Sequence, residues 1–172
     1  MEKSTLVQQI KSAFPLLPFP EVSLHQAQLA DQSMSREIGN DEWLAEGARD
    51  SGRTWETFTE AELMACGAAL SHLDESDFVY YLPAFLLLAL RYLDVELNHP
   101  AWAITISAVF AVTDRSGYSL SRFARFSPEQ VAAVKAFLEA VAGSSGGKAR
   151  DARAALDGYW NTDRAGKFLL LP

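Results

Sequence analysis

One run constrains this chain more than anything else in it: Phe78 to Leu90 is thirteen residues without a charge, closed by Arg91. A segment apolar on nearly every face cannot rest on a protein surface and has to be surrounded. Thirteen residues also fall short of the roughly 18–20 needed to cross a bilayer, so a buried core helix is expected and a membrane span is not. Asp74-Glu75-Ser76-Asp77 places negative charge before the run, where the helix dipole favours it. The spacing predicts a helix from Ser76 to about Leu97. Pro83 lies inside it, lacks an N–H and crowds the carbonyl of Val79, which predicts a kink or a late helix start.

The remaining composition is that of one soluble domain. The chain has 172 residues, 49% hydrophobic and 22% charged, with a formal charge of −7 and a sequence pI near 4.9. That size supports a substantial core without staples. Cys66 is the single cysteine, so neither a disulfide nor a multi-cysteine metal or redox site can form within the chain, and a reducing, cytoplasmic setting is expected. The acidic balance argues against a general nucleic-acid binder, which needs a basic footprint. Met1 to Phe14 mixes Lys3, Gln8, Gln9 and Lys11 into its apolar residues, and this is not a secretory pattern.

Helical periodicity recurs along the chain, and no strand-period pattern of convincing length does. Leu6, Val7, Ile10, Ala13 and Phe14 form one face of a first helix, ended by Pro15. Phe14-Pro15-Leu16-Leu17-Pro18-Phe19-Pro20 must be extended or turned, and reads as an apolar crossing segment. Ser23 to Gly47 suggests one or two short helices, then another capped by Asn40 or Asp41. Thr59-Glu60-Ala61-Glu62 is a capping box that opens a helix to about Leu73. Pro100 starts a helix over Ala101 to about Val112, and Thr113 to Phe126 reads as a loop. Ser127-Pro128-Glu129-Gln130 is the clearest helix start in the chain, for a helix through Ala142. Gly143 to Gly147 reads as a flexible connector to a last helix, Lys148 to Trp160. The expectation is a single all-α domain over residues 1–172, a bundle of about six to eight helices, with the first fifty residues the least determined.

Four stretches together carry a resemblance: Trp55 before the capped helix; Tyr80-Tyr81-Leu82-Pro83-Ala84-Phe85-Leu86; Phe126-Ser127-Pro128-Glu129-Gln130 leading to Phe137-Leu138; and Ala155-Leu156 with Tyr159-Trp160. In this order they resemble a bacterial family of unknown function whose members are small soluble proteins. The resemblance spans roughly residues 50 to 161. It implies an all-helical fold and supplies no catalytic residue to carry over.

Motifs for chemistry are sparse. His72 near Asp74 and Asp77, and His99 beside Asn98, lack the HxxxH or ExxH spacing that converges ligands on one helix face, so no metal is expected. His25 stands alone. Cys66, between Ala65 and Gly67, occupies the kind of position a small packing residue takes. No GxSxG, GxGxxG or GxxxxGK[ST] pattern occurs, and no cofactor is expected. Tyr80, Tyr81, Phe85 and Tyr92 could line a pocket around Pro83, although core packing explains them as well.

Charge layout says more than any motif. Between Asp31 and Asp77 twelve acids face Arg36, Arg49 and Arg53, a local charge of −9, whereas the chain from Ala111 onward carries +3. Trp43 and Trp55 fall inside the acidic stretch. A solvated acidic face would account for this, and so would a surface that steers a basic protein partner. The second reading assigns partner contacts to Asp41, Glu42, Trp43, Glu46, Asp50, Trp55 and Glu56. It makes the chain a non-enzymatic protein-binding module, in its most concrete form a bacterial immunity protein that neutralises a cognate toxin. The alternatives are a small-molecule binder or enzyme with a pocket near Tyr81, Pro83 and Phe85, and a self-associating domain using Phe168 to Leu171.

Overall fold

The apolar run becomes the axis around which the other helices gather. The structure is a computed structural model and describes residues 2–96 and 98–167; the apolar tail Phe168 to Leu171 lies outside them. Nine α-helices and no strand occur among the described residues: α1 Lys3–Ala13, α2 Leu24–Gln32, α3 Asn40–Arg49, α4 Glu60–Ala65, α5 Glu75–Arg91, α6 Trp102–Thr113, α7 Gly117–Phe123, α8 Pro128–Gly143 and α9 Ala149–Ala155. Short 3-10 turns lie at Trp55–Thr57 and Ala69–Ser71, and a wider π turn at Leu156–Trp160 extends α9. None of the described helices is long and apolar enough to cross a membrane.

Helix α5 packs against α1, α4, α6, α7 and α8. Phe78, Leu82, Phe85, Leu86 and Ala89 on it are fully buried. The helix stays continuous through Pro83 and starts at Glu75, so it does not start late. Two expected caps form as read: Thr59 with Glu62 opens α4, and Ser127 with Gln130 opens α8 behind Pro128. A third capping box, Ser23 with Gln26, opens α2.

The structure corrects three element boundaries. The segment expected as loop, Thr113 to Phe126, contains α7. Its Ser116 hydroxyl accepts from Ser119 N, and the Asp114 carboxylate accepts from Ser116 N and from the Ser116 and Ser119 hydroxyls. The helix expected through Leu73 ends at Ala65, because other elements take up the backbone groups that follow. Ala68 N donates to Gln28 Oε1, the Leu70 carbonyl accepts from Arg122 Nη1 at 2.6 Å, and the Leu73 carbonyl accepts from the Tyr118 hydroxyl at 2.7 Å. Helix α5 stops at Arg91 rather than near Leu97. The chain turns at Tyr92, whose ring stacks on His99, and Asp94 accepts from Ser145 N and Oγ across the connector. Leu93 O lies 2.5 Å from where a Cβ of Gly146 would stand, so this close approach requires glycine. With α7 added, the helices number nine among the described residues, against the expected six to eight.

Aromatic side chains from distant parts of the sequence seal one end of the core. Phe126 stacks on Phe78 at 6.2 Å and on Trp160 at 6.0 Å; Phe123 approaches Trp160 at 5.0 Å, and Phe14 meets Phe126 edge-on. Trp160 satisfies its indole N–H on Val112 O at 2.7 Å, as a buried tryptophan must. Tyr159 and Trp160 thus pack against the body.

Candidate partner-binding surface

The proline-rich segment after α1 forms a strap across the N-terminal end of α5. Prolines remove its N–H groups and hold it extended, so it depends on side chains to fix it. Trp55 Nε1 donates to Pro15 O at 3.2 Å at one end. At the other, the buried Asp77 carboxylate accepts from Glu21 N at 3.1 Å and Val22 N at 2.8 Å. Between these anchors Leu17 is 61% and Phe19 48% exposed, with Phe19 edge-on to Tyr80.

Two concavities flank the strap, and Phe19, Pro20 and Glu21 line both. The larger, about 1010 Å³, runs between the strap, the start of α5, Tyr118 and Ser121 of α7, and Arg125 just after that helix. The smaller, about 460 Å³, lies towards Leu44, Gly47 and Ala48 of α3. Tyr118 is a rigid wall: its hydroxyl is bound to Leu73 O, and the Arg122 guanidinium lies 4.4 Å from its ring and 4.0 Å from that of Phe78. Arg122 is buried, which lowers its pKa, and it donates to Leu70 O and Ser119 Oγ.

The residues read from sequence as partner contacts divide sharply. Asp41, Glu42, Trp43 and Glu46 lie on α3, a helix with no buried residue that packs chiefly on α2, where Gln26 Nε2 donates to Trp43 O. Leu44 on the same helix is 58% exposed. Glu56 is exposed and pairs with Lys11. Trp55, at 2% exposure, and Asp50, at 6%, are core residues and offer a partner nothing.

The acidic stretch is less bare than its sequence. Seven of its twelve acids have an Arg or Lys nitrogen within 4 Å: Glu42, Glu46, Asp50, Glu56, Glu60, Glu62 and Glu75. Three of the cations, Lys11, Arg91 and Arg125, come from outside the stretch. The hydrogen bond from Arg36 lowers the pKa of Glu42. Glu37, Asp41 and Asp74, together with Glu21 on the strap, have no such cation among the described residues.

His25, which sequence reasoning left isolated, is the residue most visibly missed. Its Nδ1 lies 2.6 Å from Asp50 Oδ1 and its backbone N donates to Asp50 Oδ2, tying the start of α2 to the end of α3. No signal could have revealed this, since the partners are 25 residues apart. Cys66 lines a hollow with His25, but burial first, then the Asp50 charge, push its thiol up to about 12. Such a thiol is protonated at neutral pH and is a poor nucleophile. Among the described residues no group of three or more His, Cys, Asp or Glu is placed to hold a metal ion. Pro83 and Phe85, expected to border an aromatic pocket, are core residues that line none of these concavities; Tyr81, 1% exposed, reaches the edge of the smaller one.

Fold and surface together define a single all-α domain with an externally strapped groove. Over residues 2–164 the chain matches a family of unknown function (DUF6714), and it belongs to that family. The match takes in residues 2–50, α1 and the strap among them. No curated protein and no solved structure matches the chain.

Proposed function

We propose that this protein is a non-enzymatic binding module for a basic protein partner, in its most concrete form a bacterial immunity protein that occludes a cognate toxin. The observation that carries this reading is the gathering of exposed apolar side chains along one connected face. Leu44, Phe19, Leu17 and Tyr118 border two concavities that share the strap, with Glu21 and Asp74 beside them and Asp41 one turn before Leu44. Interfaces favour such aromatic and aliphatic anchors, while surrounding charges set encounter rate and choice of partner. Of the α3 acids, Asp41 lies on the same side of the helix as Leu44, whereas Glu42 and Glu46 stand about half a turn round it and Glu46 lines the separate hollow beside His25. The pairs of Glu42 and Glu46 with Arg36 and Arg49 are solvent-screened, so an incoming base can replace the arginines.

Co-expression with the product of an adjacent gene tests the proposal. The expected outcome is a stoichiometric complex that weakens with salt and with Asp41→Lys or Glu42→Lys, and a cell protected from that product's toxicity. Absence of any stoichiometric partner in native pull-downs, together with absence of protection, would overturn it.

A further inference from the structure

Resting on the protein-binding reading, we propose that the groove between the strap and α7 seats an extended segment of the partner, with a lysine or arginine next to an apolar side chain. Shape, charge and rigidity each bear on this.

At about 1010 Å³ and open along one side, the groove lies at the upper limit of small-molecule pockets, which mostly bury their ligand. A few residues of polypeptide suit it better. Its walls are apolar, with Leu17 and Phe19 from the strap and Val79 and Tyr118 opposite, so an aliphatic or aromatic side chain fits between them. Its floor and rim are acidic. Glu21, Asp74, Glu75 and Asp77 line it against one base, Arg125. Asp77 is committed to the strap amides and Glu75 to Arg125, which leaves Glu21 and Asp74 for the occupant. Negative potential between low-dielectric walls selects a cation. Both walls are fixed beforehand, the strap at its two ends and Tyr118 by Leu73 and Arg122, so little ordering cost falls on binding.

The experiment is selection of a displayed random-peptide library on the immobilised full chain, then fluorescence anisotropy with one selected peptide. Enriched peptides should share a Lys or Arg beside an apolar residue. Affinity should fall about tenfold or more with Asp74→Lys and with Leu17→Ser, fall with added salt, and stay unchanged with Glu139→Lys on α8. Leu17→Ser alters a side chain that supports nothing beneath it, so circular dichroism should show an intact fold. A library without binders, peptides without a basic residue, or binding indifferent to both groove variants would each overturn the inference. A cognate partner that binds the Asp74→Lys chain as tightly as the parent would overturn the groove and leave the protein-binding reading standing. A chain that binds such peptides but has no cellular partner would do the reverse.

Discussion

Glu62 takes part in two arrangements at once. Its carboxylate accepts from the backbone N and hydroxyl of Thr59, closing the α4 cap, and receives both terminal nitrogens of Arg53 at 2.8 and 3.0 Å. The Arg53 hydrogen bond, followed by the Thr59 amide, brings its pKa down from 4.5 to about 2. A carboxyl depressed in the folded state contributes stability that is complete above its unfolded pKa and is lost as pH falls towards the folded one. Glu62→Gln, which can still cap, should therefore cost about 1 kcal/mol at neutral pH, and this difference should shrink steadily as pH falls from 4.5 towards 2. Urea midpoints of parent and variant at about pH 7 and 2.5 check this; an undiminished gap at the acid end would refute the Arg53 origin. The Thr59 half of the arrangement was legible because its partners are three residues apart. Arg53 and Asp50 could not be assigned, nor could the burial of Trp55, since each depends on which surfaces meet.

The strap and α7 show how an element's form depends on its neighbours. The prolines made the strap's extended backbone readable, but not its anchor: Asp77 is a first-turn acid of α5, as its position suggested, and its carboxylate also accepts from Glu21 N and Val22 N. Asp77→Asn keeps the shape and removes the charge. It should cost about 1.5–3 kcal/mol, the range for hydrogen bonds to charged groups. Hydrogen exchange should accelerate at the amides of Glu21 and Val22 while α8 stays protected; equal protection of the strap in both proteins would rule out this anchor. Helix α7 went unread because Ser116-Gly117 is also ordinary turn sequence, and only its network with Asp114 and Arg122 selects the helix. That network holds Asp114 ionised: burial opposes it, and the hydrogen bonds from Ser116 and Ser119 prevail, keeping its pKa below the ordinary value.

Across the whole molecule, one aromatic cluster joins the two ends of the chain. Phe14, Phe78, Phe123, Phe126, Tyr159 and Trp160 meet there, so α1, α5, α7 and the turn after α9 should unfold together. Tryptophan fluorescence and far-ultraviolet circular dichroism should report coincident transitions. Phe123→Ala should move both down together by about 3–5 kcal/mol, the cost of a large cavity in a close-packed core. Separate transitions would show that the N-terminal helix is an independent unit.

The sequence by itself determined the all-α class, the central place of Phe78 to Leu90, the caps at Thr59 and Ser127, and the break at the prolines. These follow from periodicity and from hydrogen bonds closed within a few residues, so one chain segment contains their cause. Tertiary structure alone decided which acids remain free, which tryptophan is buried, where the second half of the expected Glu60 to Leu73 helix went, and that the strap stands between two concavities. Those outcomes depend on side chains tens of residues apart competing for the same carbonyls and carboxylates, and that competition is settled only when the helices pack.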